Sequence, residues 1–331
     1  MNKRKLGSFA LCAMLFALCF SAQAQEPAGI PRIGFVTSAG NPNSPGFRVE
    51  AFKHGLRELG YVEGKNILVE YRYIEGKTER VPEIVAELVQ LKPDVLVLLS
   101  LGAVWAAKQA TRAIPIVTVV PDDLVALGIV NSLARPGGNI TGLTRLSREL
   151  SGKRLELLTE AIPGISRVGV LYGRSSLQVG PRVFQDYDVP ARALKIALQI
   201  LEVRPPNPDL AGAFRVASKG RAQALVAVTT SVLVPNDKKI AELAIKHRLP
   251  TMFEAGHYVD AGGLMSYSAD DRESFKRAAI YVDKILKGAK PADLPVEQPT
   301  KFEFVINQKT AKQIGVTIPP DLLARATKII R

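Results

Sequence analysis

Polar and small residues follow most of the apolar runs of this 331-residue sequence, at the points where those runs end. Ligands of open parallel sheets bind beyond the carboxyl ends of the strands, so these residues are candidates for a binding site. Hydroxyl groups, a few charges and backbone donors suit a small polar ligand that is enclosed whole. The candidate ligand-binding residues are Thr37, Ser38, Ser100, Asp122, Asp123, Arg145, Gly173, Arg174, Thr230, Ser231, Glu254 and Tyr267.

Three carboxylates in this set, Asp122, Asp123 and Glu254, favour a ligand that carries a cationic amine, such as an amino acid. A buried carboxylate is stable only when it is paired, and an ammonium group is a natural partner. The hydroxyl pairs at 37–38 and 230–231 would then bind a carboxylate or carbonyl group of the same ligand.

An alternative assignment stays open, because an acidic or hydroxyl residue that follows a strand is also a common helix N-cap. In that case the acids cap loops, and an anionic or neutral ligand is bound through the hydroxyl groups, Arg145 and Arg174. Tyr267 is a candidate for stacking on an apolar part of the ligand, although an aromatic residue there also suits the core.

No catalytic motif accompanies these residues. The sequence has no phosphate-binding loop, no Gly-x-Gly-x-x-Gly after the first strand, no Gly-x-Ser-x-Gly and no His-Glu-x-x-His. The three histidines, His54, His247 and His257, are far apart and have no metal-ligand spacing. We therefore expect a binding protein with no cofactor and no metal rather than an enzyme.

The elements that must position the candidates alternate regularly. Short, continuously apolar runs such as 95–99 and 116–120 are typical of buried parallel strands, and amphipathic segments lie between them. The alternation restarts after a turn cluster at 135–139. The predicted fold is α/β, with two doubly wound parallel-sheet lobes and a hinged cleft. The expected lobes are 30–145 and 146–268, and a tail, 269–331, crosses back and packs on them.

The first 24 residues predict a secretory signal peptide. A basic stretch, Asn2 to Lys5, precedes an apolar run, and Ala22-Gln23-Ala24 is a small-x-small cleavage site. Cleavage would leave a periplasmic protein that starts at Gln25 and contains neither of the two cysteines. No later segment is long and apolar enough to span a membrane, so the mature chain is not expected to be membrane-embedded.

The formal charge of +13 belongs to scattered Lys and Arg residues, which indicate a solvated surface. Export and the lack of an N-terminal helix-turn-helix exclude a DNA-binding regulator and nucleic-acid partners. A monomer is expected.

Several motifs resemble a known family. They are residues 106–111, 132–142, 152–158 and 261–267, and most specifically the tail segment 281–303. In these the sequence is similar to the substrate-binding components of ABC transporters, in the group that includes the tryptophan and aromatic amino-acid binding proteins. The resemblance implies the type I periplasmic-binding fold, no catalysis, and an ABC permease with a cytoplasmic ATPase as partner.

The sequence departs from the family pattern at the predicted cleft. Asp122-Asp123 stands where members usually have Gly-Asp, and Thr229-Thr230-Ser231 stands where Pro-Asp-Pro is frequent. One lobe is thus more acidic and the other richer in hydroxyl groups.

The first functional hypothesis is a periplasmic solute-binding receptor of an ABC importer, which closes about its hinge on a small polar ligand. A ligand sensor for a membrane kinase is the alternative, and a secreted enzyme on the same scaffold is a weaker one.

Overall fold

The computed structural model describes residues 29–38, 40–145, 149–174 and 180–331, with the side chains of 180–184 left out of the description. The predicted signal peptide and its cleavage site lie outside the described residues. Every element below belongs to residues 31–331, which form one unit by their internal contacts.

The first sheet has five strands in the order β2-β1-β3-β4-β5, and every adjacent pair is parallel. Its central strands are continuously apolar and buried, as the sequence predicts for a sheet covered on both faces. The strands are β1 (Arg32–Thr37), β2 (Leu68–Tyr73), β3 (Val95–Leu98), β4 (Ile116–Val120) and β5 (Ile140–Thr144). The helices between them are α1 (Gly46–Glu58), α2 (Val81–Gln90) and α3 (Leu101–Ala110).

The second sheet has seven strands in the order β12-β11-β10-β9-β8-β6-β7, and only the β10–β11 pair is antiparallel. Its strands are β6 (Arg167–Gly173), β7 (Ala197–Val203), β8 (Ala224–Ala227), β9 (Thr251–Phe253), β10 (Met265–Ala269), β11 (Phe302–Asn307) and β12 (Lys328–Ile330). Its helices are α4 (Ser151–Ala161), α5 (Gly180–Ala193), α6 (Leu210–Lys219), α7 (Asp237–Lys246), α8 (His257–Asp260), α10 (Gln308–Ile314) and α11 (Pro320–Ala324). The predicted α/β class with two parallel-sheet lobes is confirmed.

The remaining helix, α9 (Asp271–Leu286), follows a strand of the second sheet but packs on the first. Its Ala279 lies so close to α1 that a Cβ added at Gly55 would approach it to 2.9 Å and the Lys276 carbonyl oxygen to 2.5 Å. Apolar side chains of α9 share a core with β1, β3 and β4. The first lobe is therefore completed by a helix from the end of the chain.

After α9 the chain stays on the first lobe until it enters β11. The amide of Glu297 donates to Gly142 at 2.9 Å, and the amide of Thr144 donates back to Glu297 at 2.9 Å. The chain thus passes between the two sheets three times, after β5, after β10 and before β11. Three segments of the chain therefore connect the two lobes.

The prediction for residues 191–203 is wrong in detail. The sequence pattern predicts a helix over 191–199 and a strand over 200–203, whereas the structure has the end of α5, a turn and then β7 in this segment. Lys195 has a positive φ of 58° and turns the chain between these two elements. Because β7 is an edge strand, the polar Gln199 interrupts its apolar run, and the sequence does not show that the strand begins at Ala197. Within the described ranges no helix has the length and apolar character needed to cross a membrane.

Candidate ligand-binding site

A cavity with about 90 Å³ of space open to water lies between the two sheets. The first sheet lines it with the segments that follow all five of its strands, and the second lines it with the segment that follows β8. The strand ends of both lobes therefore meet at one site, as expected for open parallel sheets. The polar and charged lining residues are Ser38, Arg48, Thr78, Ser100, Asp122, Arg145, Thr229, Thr230 and Ser231.

The amino end of α3 faces this cavity through Leu101 and Gly102. Ser100 ends the extended strand segment and caps the helix, since its Oγ accepts from the amide of Ala103 at 3.3 Å. The first amides of a helix have no acceptor within the helix, and its amino end carries a partial positive charge. This wall of the cavity therefore favours a negatively charged group.

Arg48 adds a full positive charge on the same side. It is in the first turn of α1, only 2% exposed, and its guanidinium lies 5.4 Å from the centre of the Phe275 ring. Its Nη1 donates to Ser38 Oγ at 3.4 Å, while Nε and Nη2 have no hydrogen-bond partner among the described residues. Burial, and then the charge of Arg145, lowers the pKa of Arg48 to about 10. Buried donors without acceptors are costly, which marks this side chain for a ligand.

Arg145 follows β5 and is paired with Asp271 at the amino end of α9. Arg145 Nη1 donates to Asp271 Oδ1 at 2.7 Å, and both side chains are buried. One atom of each, Arg145 Nε and Asp271 Oδ2, has no partner in the described part of the chain. The pair is thus joined by a single contact and keeps hydrogen-bonding capacity on both sides.

The second lobe offers neutral groups. Thr230 Oγ1 accepts from the amide of Leu233 at 3.3 Å, which closes the turn after β8. The amide of Thr229 donates to Glu254 Oε2 at 2.9 Å, and Thr229 Oγ1 has no partner among the described residues. This wall therefore presents hydroxyl groups on a loop that Glu254 holds in place.

The structure brings half of the twelve predicted site residues to the cavity. They are Ser38, Ser100, Asp122, Arg145, Thr230 and Ser231. Of the others in the first lobe, Thr37 is buried at the end of β1. Asp123 accepts from the amides of Val125 and Ala126 at 2.8 and 3.1 Å, so its carboxylate caps a turn.

Glu254 does not face the cavity either, because it is held by a buried network. Arg154 Nη1 lies 3.3 Å from Glu254 Oε1, and the Tyr187 hydroxyl donates to the same oxygen at 2.8 Å. Arg154 is fully buried, and its Nε also donates to the carbonyl of Tyr267 at 2.7 Å. The expectation that Glu254 receives an amine is corrected on these contacts, since the carboxylate has its partners within the lobe.

The last three predicted residues have structural surroundings. The Tyr267 ring is stacked on Phe302 with centroids 6.1 Å apart. Gly173 allows a close approach, because an added Cβ would lie 2.4 Å from Val232 Cβ. Arg174 is more than half exposed and lies 3.6 Å from Glu202. None of the three is among the residues that line the cavity in the described structure.

Sequence reasoning missed two lining residues, Arg48 and Thr229, and also Asp271, which pairs with the lining residue Arg145. Arg48 carried a signal, because it shares the face of α1 that buries Phe52 and Leu56, and a charge on an apolar helix face needs a reason. Thr229 was noted only as a departure from the family pattern. Asp271 carried no signal, since acidic residues are common in the first turn of any helix.

The chain matches a known family over nearly its whole length. Residues 44–330 fit the family described as ABC transporter substrate binding protein. This protein belongs to that family.

In the described residues, no group of three or more His, Cys, Asp or Glu side chains is arranged to hold a metal ion.

Individual relatives agree with this membership. The chain is 26% identical over 268 residues to a protein named tyrosine-binding protein from Clostridioides difficile strain R20291. The match covers 81% of this chain and 76% of the relative.

Two solved structures share the fold. One, described as a conserved domain protein from Vibrio cholerae, is 27% identical with a TM-score of 0.80, covering 91% of this chain and 99% of its own. The other, from Streptococcus pneumoniae and described as an ABC domain in complex with L-Trp, is 24% identical with a TM-score of 0.78, covering 90% and 100%. The expected type I periplasmic-binding fold is confirmed.

Proposed function

We propose that this protein is the periplasmic receptor of an ABC importer and that it binds an aromatic amino acid in the cavity between its lobes. The observation that carries the proposal is the cavity itself, since its polar lining comes from the strand ends of both sheets. A ligand held there contacts two lobes at once, which is the arrangement that couples binding to closure.

The ligand class is supported by the relatives and by the lining. One relative is named for tyrosine, and one structural neighbour was crystallised with L-Trp. The cavity combines charged and hydroxyl groups with an apolar portion. The apolar lining residues are Ile74, Val81, Leu99, Leu101 and Val234. Such a surface suits a ligand with a polar head and an aromatic side chain.

Closure is expected to be a hinge movement of lobe 30–145, completed by α9, against lobe 146–268, with the tail 269–331 joining both. The contact between Phe47 of α1 and His257 of α8, whose ring centroids are 5.3 Å apart, joins the two lobes in the described conformation. Opening would break this contact and give access to the cavity. A ligand shifts the population toward the closed form by its higher affinity for that form.

The transport partners are an ABC permease and its cytoplasmic ATPase, and the receptor acts in the periplasm after cleavage of residues 1–24. Export, family membership and a ligand cavity shared by two lobes all support this assignment. The mature chain is proposed to act as a monomer.

Native mass spectrometry of the exported protein, purified without refolding, tests the proposal. We expect a protein that starts at Gln25 and carries a retained solute in the mass range of an amino acid. Calorimetric titration of the stripped protein with L-tyrosine and L-tryptophan then measures the affinity. A protein that retains no solute and binds none of a broad panel of small molecules would contradict the receptor function.

A further inference from the structure

Buried polar atoms that lack a partner are concentrated at one place between the lobes. In the described residues, all but one of these atoms belong to a cavity-lining residue or to one of four elements, α1, α8, α9 and β10. In folded proteins nearly all buried polar groups are hydrogen-bonded, so a concentration of exceptions requires an explanation. The one outlier is Gln199, on the edge strand β7.

The charged members of this concentration all belong to the first lobe. Arg48 offers Nε and Nη2, Arg145 offers Nε, and Asp271 offers Oδ2. The three groups influence one another, because Arg145 lowers and Asp271 raises the pKa of Arg48. Arg145 is bonded to Asp271 at 2.7 Å, and the guanidinium of Arg48 lies 5.4 Å from the ring of Phe275, one turn after Asp271 on α9. The open N–H groups of both arginines therefore belong to one cluster with this carboxylate.

The second lobe faces this set with neutral groups. Tyr258 on α8 and Ser266 and Ser268 on β10 each have a buried hydroxyl without a partner among the described residues. Ser266 and Ser268 lie on the same face of β10, and α8 packs beside that strand.

The chemistry of the three charged residues defines what they can bind. A carboxylate has two oxygens that accept from a guanidinium, and such charge-assisted bonds are among the stronger ones in proteins. An ammonium group has three donors and no acceptor, which suits a carboxylate oxygen. A simple acid would leave Asp271 Oδ2 unpaired, and a simple amine would leave the arginine donors unpaired. A ligand that carries both groups a short distance apart satisfies the whole set with charge-assisted bonds.

We propose that Arg48, Arg145 and Asp271 form a charge clamp that binds the α-carboxylate and the α-ammonium group of an amino acid when the lobes part. This inference rests on the proposed receptor function and adds the residues and the ligand chemistry. The ligand first meets the charges of the first lobe, and the hydroxyl groups of the second lobe then close over it. The amine site predicted at Asp122, Asp123 and Glu254 is thereby moved to Asp271.

A set of matched ligands tests the clamp on the wild-type protein. The parent is the L-amino acid, among the twenty, that binds most tightly in calorimetric titration. For L-tyrosine the analogues are 3-(4-hydroxyphenyl)propionate, which lacks the ammonium group, and tyramine, which lacks the carboxylate. We expect the parent to bind at least ~10-fold more tightly than either analogue, as each lacks one desolvated charge pair. An analogue that binds as well as the parent would overturn the clamp.

Two variants locate the effect. Asp271→Asn should weaken binding of the parent at least ~10-fold and binding of the acid analogue less than ~3-fold. Only the parent has an ammonium group that pairs with the Asp271 carboxylate. Arg48→Met should weaken binding of the parent and of the acid analogue by the same factor, because both carry the carboxylate. A structural defect would instead weaken the parent and the acid analogue equally in Asp271→Asn, and that result would refute the assignment. If Asp271→Asn does not fold, the clamp is tested by Arg48→Met and by the ligand series on the wild-type protein.

The test separates this inference from the receptor function. A wild-type protein that binds none of the twenty amino acids but retains another solute in native mass spectrometry would overturn the clamp and leave the receptor function standing. A protein that binds no solute at all would overturn both.

Discussion

Replacing Glu254 by Ala separates a structural role of this carboxylate from a ligand-binding one. Arg154, which is fully buried, would lose its contact with Glu254 at 3.3 Å. The Tyr187 hydroxyl and the Thr229 amide would lose their acceptor at 2.8 and 2.9 Å. The substitution thus removes one carboxylate. A buried cation loses its contact with that carboxylate, and two buried donors lose it as their acceptor.

Removing one partner of a buried ion pair costs about 3–5 kcal/mol, because the other charge stays buried. The free energy of unfolding of the ligand-free protein should fall by about this amount, and Tm should fall by roughly 5–8 °C. Differential scanning calorimetry without ligand measures both. The control is Glu160→Ala, which breaks a half-exposed pair with Arg325 and should cost less than about 1 kcal/mol.

The single substitution Arg154→Met and the double substitution Glu254→Ala with Arg154→Met complete the cycle. If the cost comes from an unpaired buried charge, removing both charges should restore most of the lost stability. The reasoning is refuted if Glu254→Ala leaves Tm of the empty protein within ~2 °C of wild type and abolishes ligand binding. Glu254 would then be a ligand residue, as the sequence first suggested.

Three further outcomes are expected. Burial, and then the charges of Arg48 and Arg145, lowers the pKa of His257 well below its ordinary value of about 6.5. The closed form therefore favours the neutral imidazole. We expect closure to be fully favoured above pH ~6.5 and to be lost as the pH falls below ~6.5. Ligand affinity, titrated from pH 8 to 5, should fall by up to ~10-fold per pH unit below ~6.5, and His257→Gln should remove this slope. Gly142→Ala should lower Tm by several degrees in calorimetry, because φ is +138° there and the added Cβ would lie 2.1 Å from a backbone oxygen of β4; an unchanged Tm would contradict the packing of β5. Arg174→Ala should leave the dissociation constant within ~2-fold of wild type, since this exposed side chain contacts Glu202 and does not line the cavity; a larger loss would return it to the site.

The fold could be predicted from the sequence because its strands are buried on both faces. Continuous apolar runs such as 95–98 and 116–120 have no other simple interpretation, and helices of regular length separate them. Edge strands lack this signal, which is why β7 was misassigned in part. The place of α9 on the first lobe also could not be derived, since the sequence shows only that one of its faces is apolar.

Half of the candidate site could be predicted because strand ends meet at one edge of a sheet. Ser38, Ser100 and Asp122 follow this rule. Arg145 of the clamp follows it as well, but Arg48 and Asp271 do not, because they lie in the first turns of helices. The partners of a buried charge are equally invisible in the sequence: Arg145 and Asp271 are 126 positions apart, and Arg154 and Glu254 are 100. Only the packed structure shows which acids are already paired.

Hydrogen–deuterium exchange with and without a bound amino acid tests the central claim most directly, namely that the ligand is held between the lobes. We expect new protection in segments of both lobes that line the cavity, around 100–102 and 145 in the first and 229–231 in the second. The groove beside β7, lined by Ile200 and Val216, should be unchanged. Protection confined to one lobe, or found only at that groove, would contradict a binding site that is closed by two lobes.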